Sequence, residues 1–393
     1  MSERAIKTVN GIFQYYGDQY RSTHKLPLTH HKVMRAIECC RTQALGGHIE
    51  QCKCCGYQRT FYNSCRNRHC PTCQTGPRER WLYNRKQDVL PVVYYHIVFT
   101  LPGELNDLVL RNKRAGYDIL FRSASETILD LCRDCKHMGG RPGVLAILHT
   151  WGQTLMDHPH LHCLVTGGGL SNDGSRWVKP RKTNQKRHFF IHVDVLSDLF
   201  KKKFMAYLNE AWQENKLGFH GKIQHLNDSN SFKSFKKKLY EKKWITFCKD
   251  VYHKPERVID YLGRYTHRVA IGNYRIESTD QETVTFSYKD YQDDGRKKRM
   301  TLSYEEFTRR FLLHVLPHGY FRIRYYGLFS NRNRKKNIEW VRRLLKAAKR
   351  DERPFDLLDA LFALTGLDVS RCPQCERGEM VIIKNLKPVY QPP

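Results

Sequence analysis

The sequence predicts an α+β protein with an N-terminal helical, cysteine-knuckle module, a central antiparallel sheet flanked by helices, and a basic helical C-terminal region. Three observations carry that expectation. Runs of strand type at 92–101 (VVYYHIVFTL), 144–150 (VLAILHT) and 161–166 (LHCLVT) alternate with helix-like stretches but show no regular βαβ repeat. Pairs of cysteines spaced Cys-x-x-Cys crowd into residues 52–73, and residues 321–350 carry eleven Arg and Lys against a single acid.

Taken in order, residues 29–44 read as a helix, with Val33, Ala36, Ile37 and Cys40 on one face and the Gly46-Gly47 pair as its stop. The cysteine-rich stretch follows, and then a basic helical connector over 78–89 that ends before Pro91. The strand at 92–101 is closed by Pro102, a helix is expected over 117–132, and the strand at 161–166 stops at Gly167-Gly168-Gly169. Helical patterns return at 200–212 and 231–244. The second of these interleaves Phe232, Phe235, Tyr240 and Trp244 with six lysines. Residues 338–348 have helical spacing. These boundaries divide the chain into 1–90, a cysteine-bearing module, 91–320, the sheet domain, and 321–393, a basic tail with one more Cys-x-x-Cys.

Charge narrows the partners. With 68 Lys and Arg against 39 Asp and Glu, the 393-residue chain carries +29, an excess that calls for a polyanion, nucleic acid above all. No run reaches the roughly 18 apolar residues of a membrane span and the N-terminus has no apolar signal region, so the expectation is a cytoplasmic protein without a membrane partner. In that compartment fourteen cysteines read as thiols. Cys52/Cys55 and Cys70/Cys73 have the spacing of one four-thiolate structural Zn²⁺ site. Cys54, Cys65, His48 and His69 stand close enough in sequence to replace a ligand or build a second site. Cys132/Cys135 and Cys372/Cys375 fit either a further four-cysteine site or separate buried thiols.

The sharpest local signal is His158-Pro159-His160-Leu161-His162 at the head of an apolar strand. Residues two apart on a strand share a face, so His160 and His162 can address one divalent ion while Leu161 and Cys163 face a core. A hairpin turning near Met156 and Asp157 puts Gln153 opposite His160 as third ligand, with His158 the alternative. A second motif, Tyr261-Leu262-Gly263-Arg264-Tyr265, sets two phenols at i and i+4 on one helical face with Arg268 three further on, a pattern that can also be plain core packing. Gly263 costs such a helix about 1 kcal/mol against alanine and so points to close packing or mobility.

Three blocks, NSCRNRHCPTCQ (63–74), HTWGQTLMDHPHLHCLV (149–165) and YLGRYTHRVAI (261–271), together resemble the rolling-circle insertion-sequence transposases with an N-terminal zinc-binding domain, members of the HUH endonuclease superfamily. The resemblance implies that the sheet domain is an HUH nuclease, that His160 and His162 bind Mg²⁺ or Mn²⁺, and that Tyr261 and Tyr265 are nucleophiles forming a 5′-phosphotyrosine. It implies single-stranded DNA at transposon ends and target as substrate, and a nucleoid-associated bacterial protein served by a separate host helicase, since the chain has no P-loop. Cys65 gains weight as a zinc ligand because it lies inside the first block. Arg66, Arg68, Arg264, Arg268, Lys236 and Lys237 are the expected DNA contacts, with Phe232, Phe235, Tyr325, Tyr326 and Trp340 as surfaces for unpaired bases. A plasmid replication initiator or relaxase of the same chemistry, and a non-catalytic zinc-dependent DNA-binding regulator, are the competing readings.

Overall fold

The computed structural model describes residues 6–180, 191–251, 258, 263, 269–348 and 354–390. Helices α1 (Val9–Thr23) and α2 (Leu28–Glu38) open the chain and are followed by β1 (Gly47–Cys52), β2 (Gln58–Tyr62), α3 (Thr75–Lys86) and β3 (Tyr94–Thr100). Then come α4 (Asn106–Arg111), α5 (Lys113–Arg133), the hairpin β4 (Gly143–Trp151) and β5 (Asp157–Thr166), and the short β6 (Gly169–Leu170) and β7 (Trp177–Val178). Next are α6 (Val193–Gln213), α7 (Ser229–Glu241), β8 (Thr246–Val251), β9 (Ile276–Thr279), β10 (Thr283–Asp290) and β11 (Arg296–Ser303). The chain closes with α8 (Tyr304–Leu313), β12 (Ile323–Gly327), α9 (Arg334–Leu344), α10 (Leu357–Thr365) and β13 (Met380–Leu386).

The architecture is α+β, as the strand spacing predicts. Its centre is a five-stranded antiparallel sheet in the order β12-β4-β5-β3-β8. Strand alternation gives the sheet two faces. Ile97, Phe99, Val144, Ala146, Leu148, Leu161, Cys163 and Val165 point into the largest core, where α5, α6 and α7 cover them through Tyr117, Phe121, Phe200, Phe204 and Phe232. Burying each such phenylalanine removes enough apolar area to contribute about 1.5–3 kcal/mol. The opposite face presents Tyr94, Leu145, Ile147 and Leu164, packed with Val258, Ile338 and Val341 and with Trp81 and Leu82 of α3.

A second layer of structure grips this sheet. Helices α1 and α2 pack with α8 and the β11-β10-β9 sheet in a separate core that also takes in Leu155 from the tip of the β4–β5 hairpin. The third sheet, β13-β1-β2, joins the two ends of the chain.

Several expectations need correction. The helix foreseen over 29–44 ends at Glu38, so Cys40 lies beyond it. The basic tail does not stand apart: β12 becomes an edge strand of the central sheet and β13 an edge strand on β1. Phe232 is buried and stacks on Trp212 at 5.0 Å, and Trp244 is buried beside Phe204, so neither is open to a base. α7 carries four of the six lysines on a solvated face opposite the buried Phe232 and Leu239, and Lys242 and Lys243 follow its end.

Two predictions come from this packing. Gly327 has φ of 61° and an added Cβ would fall 2.0 Å from the Pro142 carbonyl oxygen. Gly327→Ala is therefore expected to cost about 2–4 kcal/mol by thermal or urea unfolding, against about 1 kcal/mol for Gly174→Ala, where φ is also positive but nothing crowds the site. Burial holds His69 well below its usual range and pushes His314 down to about 4, whereas the unfolded chain titrates near 6.5. Between those values the unfolded state binds protons that the fold refuses, so stability rises with pH through that window, by up to about 1.4 kcal/mol per pH unit for each group. A urea midpoint no lower at pH 5 than at pH 7 would contradict this.

Candidate functional site

Three imidazoles converge on the second face of the central sheet. His160 and His162 alternate with core residues along β5, and His149 on β4 stands directly across the ladder from His160. Their ligand nitrogens lie within 4.8 Å of one another. The Nε2 atoms of His160 and His162 are 3.2 Å apart, close to the roughly 3 Å between two nitrogens that share an ion at about 2.1 Å and a right angle.

Two of the rings are oriented by their outer nitrogens. His160 Nδ1 lies 2.7 Å from the His158 carbonyl and donates to it, leaving the Nε2 lone pair facing inward. His162 Nδ1 lies 2.9 Å from Nε2 of His96, a buried residue of β3 whose ring is parallel to that of His162 at 5.1 Å. A proton on His162 Nδ1, donated to His96, frees His162 Nε2 in the same way. Trp151 stacks on His149 at 4.8 Å. Burial pushes His160 down to about 4 against the bond to the His158 carbonyl, which favours the charged ring, so that ring is neutral at neutral pH, as a ligand must be.

The register that creates this cluster differs from the expected one. The hairpin turns at 152–156, where the Gly152 N–H donates to the Met156 carbonyl at 2.9 Å, rather than near Asp157. Gln153 therefore sits on the tip. Its carbonyl accepts from Arg275 and its amide oxygen from the Lys289 N–H at 3.4 Å, away from the imidazoles. His149, missed from the sequence, takes the place expected of it. Between the pairs His149–His160 and Trp151–Asp157 the ladder shifts register, so that Thr150 faces both His158 and Pro159. Such a bulge tolerates a proline, which has no N–H for the ladder, and it re-aims the neighbouring histidines. Arg310 donates to the Thr154 carbonyl at 3.0 Å and His314 Nε2 to the Leu155 carbonyl at 3.0 Å, fixing the tip against α8.

Tyr261, Tyr265, Arg264 and Arg268 lie outside the described residues. Two of their sequence neighbours, Val258 and Gly263, are described. Val258 is buried among Leu145, Ile147 and Leu164, on the sheet face that carries the three imidazoles. Gly263 packs so closely on α3 that an added Cβ would come 2.9 Å from Leu82. It also lines a cleft of about 870 Å³ together with Gln153, Arg78, Val269 and Arg275.

The cysteines assort otherwise than their spacing suggests. Cys70 and Cys73 meet Cys65 and Cys40, with Cys65 and Cys73 sulfurs 3.8 Å apart. Cys52 and Cys55 meet Cys372 and Cys375 instead. The four-thiolate group expected from Cys52, Cys55, Cys70 and Cys73 is thus split between two clusters, because β1 and β2 carry the first knuckle away from the second. Hydrogen bonds among the four thiols hold Cys40 below the ordinary thiol range and push Cys65 and Cys70 above it. Cys132 is buried in the main core and Cys135 is exposed, neither being in a cluster of metal-ligand type among the described residues.

Of the expected DNA contacts, Arg66 and Lys237 are exposed. Arg68 turns inward and donates to the Tyr320 carbonyl at 2.5 Å, while Lys236 bonds Asn209 and lies over the Phe232 ring. Trp340 is partly exposed and its indole N–H donates to the Gly174 carbonyl at 2.7 Å. Tyr325 accepts from the Trp81 indole N–H at 3.2 Å, and Tyr326 packs against the main core. No described helix is long and apolar enough to cross a membrane.

Residues 143–337 match the model of a putative transposase family, and residues 12–101 match a transposase zinc-binding domain. The chain is 44% identical over 395 residues to a putative transposase of Sinorhizobium fredii (strain NBRC 101917 / NGR234), covering 99% of this chain and 98% of that protein. It is 28% identical over 351 residues to the transposase for insertion sequence element IS801 of Pseudomonas savastanoi pv. phaseolicola, covering 86% of this chain and 79% of that protein. With the cysteine clusters in and around its N-terminal part and an antiparallel sheet at its centre, this chain belongs to the IS91-type transposases that carry an N-terminal zinc-binding domain.

Proposed function

We propose that the protein cuts and rejoins single-stranded DNA by tyrosine transesterification, as the strand-transfer step of rolling-circle transposition. The observation that carries this reading is the cluster of His149, His160 and His162 on adjacent strands, three imidazole ligands of which two are oriented by outer hydrogen bonds, on the sheet face against which Val258, three residues before the two-tyrosine block, is buried. Phosphate oxygens in the open positions would complete a mixed nitrogen and oxygen set, which three imidazoles offer more readily to Mn²⁺ than to the oxygen-preferring Mg²⁺, and such an ion would polarise the scissile phosphodiester and stabilise phenolate nearby.

The chain's own groups divide the work. The Tyr261 or Tyr265 phenolate attacks phosphorus, the bond from phosphorus to the 3′ oxygen breaks, and the departing 3′ oxygen takes up a proton. The DNA is then held as a 5′-phosphotyrosine, and attack by a free 3′-hydroxyl reverses the step without ATP. Two tyrosines permit successive cleavages at donor and target. His96 holds the His162 ring in its ligating orientation, and Arg264 and Arg268 bind the phosphate being transferred. Cys40, Cys65, Cys70 and Cys73 hold a structural Zn²⁺ in the segment that matches the zinc-binding domain.

In this division residues 1–90 contact DNA, with Arg66 exposed for the purpose, residues 91–320 carry the nuclease chemistry, and the basic tail adds phosphate contacts. The substrates are single strands at transposon ends and target, and unwinding falls to a separate helicase.

A nicking assay on single-stranded oligonucleotides with Mg²⁺ or Mn²⁺ tests the chemistry. The wild type is expected to cut and to leave a covalent protein–DNA adduct, while Tyr261→Phe/Tyr265→Phe and His160→Ala/His162→Ala bind DNA without cutting. Full cleavage by the double phenylalanine variant would sink the proposal. The ligand assignment is tested by Mn²⁺ titration. His149→Ala is expected to weaken binding by at least about 100-fold and His96→Ala by about 10–100-fold, with Gln153→Ala near wild type. The reverse order for His149 and Gln153 would restore Gln153 as the ligand.

A further inference from the structure

The segments matched to the transposase models end at residues 101 and 337, yet two cysteines from beyond both, Cys372 and Cys375, meet Cys52 and Cys55. Cys52 and Cys375 sulfurs are 3.7 Å apart, as are those of Cys55 and Cys372. A tetrahedron of thiolates around zinc, with Zn–S near 2.3 Å, has edges of about 3.8 Å. Each pair forms a knuckle whose amides face sulfur. The Cys54 and Cys55 N–H groups donate to Cys52 at 3.3 and 3.5 Å, that of Gln374 to Cys372 at 3.4 Å, and that of Gly378 to Cys375 at 3.3 Å. Gly378 is confined by the cluster itself, because an added Cβ would fall 2.2 Å from Cys52 Sγ.

The C-terminal segment needs such a cross-link. Helix α10 has no buried residue, β13 exposes Ile382 and Ile383, and Cys372 is the one buried apolar side chain among described residues 354–390. A segment without a core of its own is held by ladder bonds to β1 and by whatever joins the four sulfurs. What it positions is α10, which packs against α3. Leu82 and Tyr83 of α3, Phe355, Ala360 and Leu364 line a cleft of about 630 Å³ with Gly263, which stands between the two tyrosines in sequence.

We infer that Cys52, Cys55, Cys372 and Cys375 form a second structural Zn²⁺ site, distinct from the Cys40/Cys65/Cys70/Cys73 site, that clasps the C-terminal segment onto the N-terminal module and holds α10 over α3 beside Gly263. The inference is independent of the tyrosine chemistry and stands or falls separately from it.

The test is metal content of the full-length, untagged protein purified under reducing conditions. Wild type and the exposed-thiol control Cys135→Ser are expected to hold about two Zn²⁺ per chain, and Cys372→Ser/Cys375→Ser about one. Trypsin is expected to cut the last forty or so residues at least about tenfold faster in the double variant, while the remainder stays intact. About one Zn²⁺ per wild-type chain, or no loss in the double variant, overturns the site, and an unchanged cleavage rate overturns the clasp. Should the variant fail to fold, cobalt titration of the wild-type apoprotein decides. Saturation of the tetrathiolate absorption at two equivalents upholds the site and saturation at one overturns it.

Discussion

The register of β4 on β5 is the constraint from which the rest of the site follows. Side chains on a strand alternate, so a slip of one residue would send His149 into the main core and leave His160 and His162 without a partner across the ladder. The protein fixes this register twice. The bulge opposite Thr150 accommodates Pro159 and ends regular pairing, and the five-residue tip is pinned by Arg275, Arg310 and His314 through carbonyls of Gln153, Thr154 and Leu155. These three bonds are accepted by tip backbone atoms, and two tip side chains add to the grip, Leu155 by burial and Gln153 through its amide oxygen, which accepts from the Lys289 N–H.

The same hairpin enters the core that α1, α2 and α8 share with the small β11-β10-β9 sheet. Leu155, at φ of 63° and fully buried, docks the hairpin into that core. The left-handed backbone there is sparsely populated for leucine and costs of order 1–3 kcal/mol, which the buried side chain and the flanking hydrogen bonds offset. The central sheet is thereby held from two directions. Apolar helices cover one face, and the hairpin tip is anchored beyond the other, where three imidazoles sit among Leu145, Ile147 and Leu164.

The cysteine clusters solve a different problem. The stretch from β1 to α3 contributes few side chains to any core, since β2 is largely exposed and α3 has no buried residue. Cys40, immediately after α2, ties the helical pair to the loop that carries Cys65, Cys70 and Cys73. Cys52 and Cys55 tie the same module to the far end of the chain. Both clusters cross-link segments distant in sequence, with sulfurs in place of the apolar area that a larger module would bury.

Much of this was legible in the residues and some was not, for identifiable reasons. The β-branched and aromatic content of 92–101, 144–150 and 161–166 marks three strands, and the lack of a regular βαβ repeat between them an antiparallel sheet, because residue type and element order are read along the chain. The HPHLH spacing likewise fixes that His160 and His162 share a face. The third imidazole was hidden because it depends on where the hairpin turns. A turn near Asp157 pairs Gln153 with His160, a turn at 152–156 pairs His149, and the choice is made by contacts from Arg275, Arg310 and His314, which are more than a hundred residues away. The cysteine partners were hidden in the same way. Cys-x-x-Cys spacing makes each pair a knuckle whatever its surroundings, but which knuckles meet is set by the pairing of β13 with β1, a contact across more than three hundred residues. The sequence alone determined the kinds of element and the chemistry each side chain can offer, since those follow from covalent structure and near neighbours. Tertiary structure alone decided which of those groups meet, since that depends on register and on the ends of a chain finding each other.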